Sequence, residues 1–201
     1  MNLLTALGAL GLWLYLLHVL RRAELPFWRF LLGSVGLFIA LMALVQPVLT
    51  LPLARAVSSL AGVVGTLSDT YTAYFRYGVM FIETGSGSLT LQVDFECSGV
   101  IEIFAYLSLL TFFPVYEKNE KFTVGVVGTA YIILCNAARI ALICLAAHFW
   151  GAEVYYVMHT IVGRIFFYGM SILLYFYVFT KPQVVQIKVG SFSYGRNEKD
   201  T

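Results

Sequence analysis

Long apolar stretches separated by short polar segments dominate the chain. A helix needs about twenty apolar residues to cross the hydrocarbon of a bilayer. The stretches that approach this length cover residues 3–20, 30–49, 98–114, 122–147 and 156–180. The pattern therefore predicts an all-α, polytopic membrane helix bundle with about five spans.

The segment between the second and third predicted spans, residues 50–96, carries two patterns of its own. Apolar residues recur at helical spacing at Leu53, Val57, Leu60, Val64 and Leu67. Because Arg55 interrupts this short stretch, we expect an amphipathic helix that lies on the outer membrane surface without crossing. Further along, the apolar runs 78–82 and 89–95 flank Gly85-Ser86-Gly87-Ser88, which predicts a small β-hairpin.

Basic residues concentrate in the segments 21–29 and 115–121 and in the tail that follows Lys181. Cytoplasmic loops of membrane proteins hold the excess of Lys and Arg. We therefore expect a multi-pass protein of the cell membrane with its amino terminus outside and its carboxy terminus in the cytoplasm. In this arrangement residues 1–185 form one integral membrane domain, and residues 186–201 form a polar cytoplasmic tail.

Composition agrees with a membrane protein and excludes some other classes. The 201 residues are 60% hydrophobic and only 12% charged, and the formal net charge is +2. So balanced a charge excludes nucleic acid as a main partner, because binding to phosphates requires a concentrated basic face. The chain has 3 cysteines and no C-x-x-C pair, so neither a disulfide framework nor a zinc ribbon is expected. No metal and no cofactor are predicted.

Ionisable side chains inside predicted spans mark candidate functional positions, because a charge in the bilayer costs several kcal/mol. They are Glu102, Arg139 and Arg164. A purely structural alternative is an internal ion pair in which Glu102 neutralises one arginine, and it stays open for Glu102 and Arg164. Arg139 shares a helix face with Asn136 and Cys135, which predicts an inward-facing polar stripe.

The predicted topology brings reactive side chains to one membrane face. Cys97 precedes Ser98-Gly99 at the start of the third span, where free backbone N–H groups and the helix dipole favour a thiolate nucleophile. His159 can act as general acid and base, and Arg139 can donate to an oxyanion. Gly163, one turn after His159, would let another helix approach closely.

Other cysteine and histidine residues are alternative candidates for the nucleophile and the base. Cys135 and Cys144 are predicted to be small buried hydrophobic residues. His148 follows Arg139 by nine residues and points to the opposite side of the helix, and His18 lies near the cytoplasmic leaflet. A Cys-His metal site is an alternative, although no two candidate ligands show motif spacing.

Three short motifs together resemble a known family. Cys97-Ser98-Gly99, Asn136-Ala137-Ala138-Arg139 and His159-Thr160-Ile161-Val162-Gly163 are similar to the C-S/T-G, N-x-x-R and H-x-x-x-G signatures of the exosortase/archaeosortase family. The chain most resembles the short Gram-positive branch called exosortase G. The motifs fall on successive outward helix ends and cover about residues 85–170.

The resemblance implies a membrane-embedded cysteine transpeptidase or protease. Such an enzyme cleaves an anchored protein near a carboxy-terminal sorting signal, with Cys97 as nucleophile, His159 as acid and base, and Arg139 as stabiliser. The exosortase G branch implies a link to a glycosyltransferase and to envelope polysaccharide. Two alternatives stay open, a non-catalytic membrane partner of a polysaccharide-synthesis or export complex, and acyl transfer from a lipid donor through Cys97.

Overall fold

The computed structural model describes residues 3–85 and 87–184, and the predicted polar tail lies outside this part of the chain. In chain order the elements are α1 (Leu3–Arg22), α2 (Pro26–Leu44), α3 (Gln46–Ser68), β1 (Tyr71–Tyr74), β2 (Val79–Thr84), β3 (Gly87–Gln92), α4 (Val100–Phe112), α5 (Lys118–Trp150) and α6 (Ala152–Val184). Two π-helical turns interrupt α6, at Met158–Val162 and Phe176–Thr180.

Four of the described helices, α2, α3, α5 and α6, are long and apolar enough to cross a membrane, and α4 is a shorter apolar helix. The predicted class, a helical membrane bundle with a small hairpin, is confirmed. The boundaries differ most at the second predicted span, which ends at Leu44 because the helix breaks at Val45 and a new one starts at Gln46. Pro47 in the first turn of α3 is typical of a helix start.

The expectation that the segment from Leu53 to Leu67 is too short to cross is wrong in its premise. It belongs to α3, a helix of 23 residues, which satisfies the length requirement for a span. The face of α3 that packs inward is also not the predicted apolar stripe, since Leu60 and Leu67 are exposed. The buried positions are mostly small residues, namely Ala54, Val57, Ser58, Ala61, Gly62 and Gly65.

The predicted hairpin is β2–β3, which pairs antiparallel with Ile82 opposite Leu89. A third strand that the sequence did not signal, β1, extends it to a sheet of order β1-β2-β3. This sheet packs on α3, where the Tyr71 hydroxyl donates to the Ala61 carbonyl over 2.6 Å. A Cβ on Gly62 would lie 2.5 Å from that of Ala73, so glycine permits the close approach of strand and helix.

Two core clusters share α5 between them. The first contains α4, the inward face of α2, and α5 up to Cys135. The second contains α3, the sheet, Cys97, and α5 from Ala137 to Ala147. With 33 residues α5 is about 50 Å long, which exceeds the hydrocarbon thickness of about 30 Å. The amino-terminal part of α5 therefore packs in the first cluster and its carboxy-terminal part in the second.

The chain reverses between α5 and α6 at Gly151, whose φ of +85° is a conformation that glycine adopts without strain. The reversal lays α6 back along α5 as an antiparallel helix. The first π-helical turn of α6 contains His159, and π-turns often occur at functional sites. The reversal therefore brings His159 back to the level of α5 where the two core clusters meet.

Candidate active site

Cys97 lies in the turn that joins the sheet to α4, and its backbone is fixed on both sides. Its N–H donates to Oδ1 of Asp94 over 3.0 Å, and its carbonyl accepts a hydrogen bond from Nδ2 of Asn136. Gly99 caps α4 with a φ of +78° and packs against Asn136. The hydroxyl of Ser98 donates to the Phe95 carbonyl within the same turn. These contacts hold the backbone of Cys97 in place.

The expectation that Cys97 opens a helix is wrong. α4 begins at Val100, with Gly99 as its cap, so Cys97 lies outside the first helical turn. Burial raises the pKa of the Cys97 thiol to about 11, and the positive charge of Arg139 opposes this shift only in part. A thiol whose pKa is raised in this way requires a base to become a nucleophile.

The imidazole of His159 is the base within reach. Its Nε2 lies 3.9 Å from Sγ of Cys97, a loose contact of the kind expected before substrate binds. Tyr155, one turn earlier on α6, stacks on the imidazole with ring centroids 5.5 Å apart. Nδ1 of His159 is buried and has no hydrogen-bond partner among the described residues. Among the described residues, the stacking on Tyr155 is therefore the contact that orients the ring.

Arg139 is buried, with 5% of its surface exposed, and its guanidinium lies 5.8 Å above the centroid of the Phe167 ring. Its Nε finds no hydrogen-bond partner in the described part of the chain. A Cβ on Gly163 would lie 3.3 Å from this Nε, so the glycine makes room for the guanidinium. A buried arginine with an unused donor is suited to bind an oxygen of a ligand.

One cavity of about 360 Å³ joins these residues. Its lining includes Cys97, Arg139 and His159 together with Glu102 and Arg164. Oε2 of Glu102 is buried without a hydrogen-bond partner among the described residues, so the ion pair offered as a structural alternative is not formed through this atom. The cavity therefore gathers Oε2 of Glu102 and Nε of Arg139, neither of which has a hydrogen-bond partner among the described residues.

The competing residues lie elsewhere. Cys135 belongs to the first core cluster, and Cys144 is fully buried in the second. Nδ1 of His148 lies 2.6 Å from the carbonyl oxygen of Glu83 at the tip of the sheet. His18 is on α1, and neither His148 nor His18 lines the Cys97 cavity. In the described residues, no group of three or more His, Cys, Asp or Glu side chains could hold a metal ion.

Sequence reasoning missed Asp94, Tyr155 and Phe167, each of which supports a reactive residue. Asp94 precedes Cys97 by three residues and accepts a hydrogen bond from its backbone N–H. Tyr155 precedes His159 by four residues, so the two share a helix face. Phe167 carried no signal, because one more aromatic residue in an apolar helix is unremarkable in sequence.

Comparison with known proteins identifies the family to which the chain belongs. The family model described as transmembrane exosortase matches residues 1–177. No curated protein and no solved structure matches the chain. The matched range contains the three motifs and every residue of the cavity described above. The chain belongs to the transmembrane exosortase family.

Proposed function

We propose that this protein is a membrane-embedded cysteine transpeptidase that cleaves an anchored protein near its carboxy-terminal sorting signal. Membership in the exosortase family supports a transpeptidase-like role in general. The observation that carries the specific proposal is the 3.9 Å approach of Cys97 Sγ to His159 Nε2 in a cavity that also contains the Arg139 guanidinium.

The first half of the reaction forms an acyl-enzyme. His159 removes the thiol proton as Sγ of Cys97 attacks the carbonyl carbon of the scissile peptide bond. The carbonyl oxygen becomes an oxyanion, which Arg139 stabilises by donating from its guanidinium. His159 then gives the proton to the leaving amine nitrogen. The C–N bond breaks, and a thioester remains on Cys97.

The second half transfers the acyl group. An acceptor bearing an O–H or N–H group attacks the thioester carbon, and His159 takes its proton and returns it to Sγ of Cys97. Water as acceptor gives proteolysis, and an amine or hydroxyl gives transpeptidation or esterification. The resemblance to exosortase G links the enzyme to envelope polysaccharide and a neighbouring glycosyltransferase, and the acceptor stays open among water, an amine, a lipid and a polysaccharide.

The proposal places the active site at the outer face of the membrane. Lys118 and Lys121 begin α5 and belong on the cytoplasmic side by the charge rule. Arg139 follows Lys118 by 139 − 118 = 21 residues, which is about 32 Å of helix. This distance is close to one hydrocarbon thickness. On this topology the sheet and the part of α3 from Ala54 onward, which pack on the far part of α5, lie beyond the hydrocarbon, although α3 is long enough to span it.

The test is cleavage of a candidate substrate by the full-length protein in membranes. Substrates are membrane proteins of the same genome that end in a short motif, a hydrophobic helix and a basic tail. Co-expression with the unchanged protein is expected to shorten such a substrate by its tail, as measured by intact mass. Cys97→Ala is expected to abolish the shift, whereas Cys144→Ala, a change at a buried thiol outside the cavity, keeps it.

The same variants discriminate the alternative, a non-catalytic partner of a polysaccharide-synthesis complex. A partner held by charge and shape would support polysaccharide production equally well with Cys97→Ala, because removing a small thiol alters little packing. Normal production with this variant, at unchanged protein level, would refute the transpeptidase proposal. Loss with Cys97→Ala but not with Cys144→Ala supports it.

A further inference from the structure

A second cavity, of about 390 Å³, lies at the end of the bundle where α2 and α5 begin and α4 ends. None of its lining residues lines the Cys97 cavity. Cavities of this size hold small ligands. The proposed catalysis does not use this cavity.

The cavity presents two positive charges and no compensating negative one. Arg29 from α2 and Lys121 from α5 both line it, and their charges repel each other. No acidic side chain is among the described residues of its lining. The carboxylates on the first turn of α5, Glu117 and Glu120, are engaged in a reciprocal capping box. Two cations brought together in this way are suited to share an anion.

The arrangement of donors favours a tetrahedral oxyanion such as phosphate. Lys121 uses one of its three N–H groups on the Thr111 carbonyl over 2.8 Å, which fixes the ammonium and leaves two donors. The guanidinium of Arg29 offers its planar set of donors from the opposite helix. Phosphate oxygens can accept from both groups at once.

The surroundings favour a phospholipid as the source of the phosphate. Phe30 and Phe112 form part of the wall, and Phe27 and Trp28 next to Arg29 are 66% and 50% exposed. Exposed aromatic residues beside basic ones at the end of apolar helices are typical of the headgroup region of a bilayer. A lipid there can place its phosphate in the cavity and its acyl chains along the apolar surface of α2.

We propose that the cavity between Arg29 and Lys121 is a binding site for the phosphate group of an anionic phospholipid. Basic pockets between membrane helices are known to bind anionic headgroups by this chemistry. The site ties the ends of α2, α4 and α5 together, so an occupied site also stabilises the bundle.

The test measures lipid retention by the full chain in nanodiscs of phosphatidylcholine with or without phosphatidylglycerol. Native mass spectrometry counts bound lipids, and thermal unfolding reports stabilisation. We expect the unchanged protein to retain phosphatidylglycerol in preference to phosphatidylcholine. Arg29→Gln with Lys121→Gln is expected to reduce that preference by about fivefold for each charge removed. The matched control, Arg21→Gln with Lys118→Gln, removes the same charge outside the cavity lining and is expected to keep the preference.

Three outcomes would overturn the proposal. Equal loss in both double variants would show a general surface-charge effect, and no loss in either would show that the cavity binds no headgroup. Stabilisation by inorganic phosphate in phosphatidylcholine alone, equal to that by phosphatidylglycerol, would identify a free-anion site. If the double variant does not fold, Arg29→Gln alone decides, because this exposed side chain can be neutralised without opening the core.

Discussion

Replacing Gly163 by alanine tests whether the close contact of α5 and α6 sets the active-site geometry. The added Cβ would lie 2.9 Å from the carbonyl oxygen of Met158, 3.1 Å from Cδ1 of Ile143 and 3.3 Å from Nε of Arg139. The first distance is to backbone in the π-helical turn that contains His159. The substitution must therefore shift the His159 turn, the Arg139 side chain or both.

The magnitude follows from two opposing effects. Alanine in place of glycine in a helix favours folding by about 1 kcal/mol, whereas overpacking a close contact costs about 1–3 kcal/mol. Gly169→Ala on the same helix is the matched control, because nothing lies within 4 Å of its new Cβ. We expect Gly163→Ala to be less stable than Gly169→Ala by about 1–3 kcal/mol, since the gain in helix propensity cancels in this comparison.

Activity provides the second measurement. A misplacement of about 1 Å at a reacting group can cost about a hundredfold in rate, so we expect Gly163→Ala to lose at least about tenfold in substrate cleavage. Unfolding of both variants in mixed micelles gives the difference in stability, and the co-expression assay gives the cleavage rate. Equal stability and equal cleavage for Gly163→Ala and Gly169→Ala would refute the argument that Gly163 makes room for Arg139.

Three further predictions follow from the site and the proposed topology. Because burial raises the pKa of the Cys97 thiol to about 11, its alkylation rate should rise about tenfold per pH unit from neutral pH to about pH 10; a plateau near neutral pH, read by peptide mass spectrometry, would contradict this. Arg139→Lys keeps the charge but lacks the planar donor set, so cleavage should fall by about a hundredfold, and unchanged cleavage would show that charge alone suffices. A reporter active only in the cytoplasm should give signal when fused after Thr201 and none when inserted at Gly85; the reverse pattern would place Cys97 on the cytoplasmic side.

The sequence predicted the helical class because spans are set by length and apolarity, which are readable without a structure. It failed at α3 for a physical reason. The inward face of that helix is made of small residues such as Ala54, Ser58 and Ala61, which pack by letting backbones approach. A hydrophobicity pattern assigns such residues little weight and favours Leu60 and Leu67, which the structure leaves exposed.

The candidate site was likewise predictable only in part. Cys97, Arg139 and His159 could be found because reactive or charged side chains are costly among apolar ones and so stand out. The raised pKa of the Cys97 thiol could not be predicted, because it depends on how deeply the turn before α4 is buried. The π-helical turn around His159 could not be predicted either. A π-turn shifts the helical periodicity by one residue, and this shift is not visible where nearly every position is apolar.

The position of the site follows from the division of α5 between two cores. Up to Cys135 this helix packs in the first cluster, from Ala137 it packs in the second, and Asn136 and Arg139 lie at the boundary. A polar cavity inside either cluster would place unpaired groups in a close-packed apolar core at several kcal/mol each. At the boundary between the clusters, Arg139 and Glu102 line the cavity that also contains Cys97. On the proposed topology this boundary is also the level at which a substrate's membrane helix ends. On the proposed function, the geometry that accommodates the polar atoms of Arg139 and Glu102 is therefore the geometry that would bring them to the scissile bond.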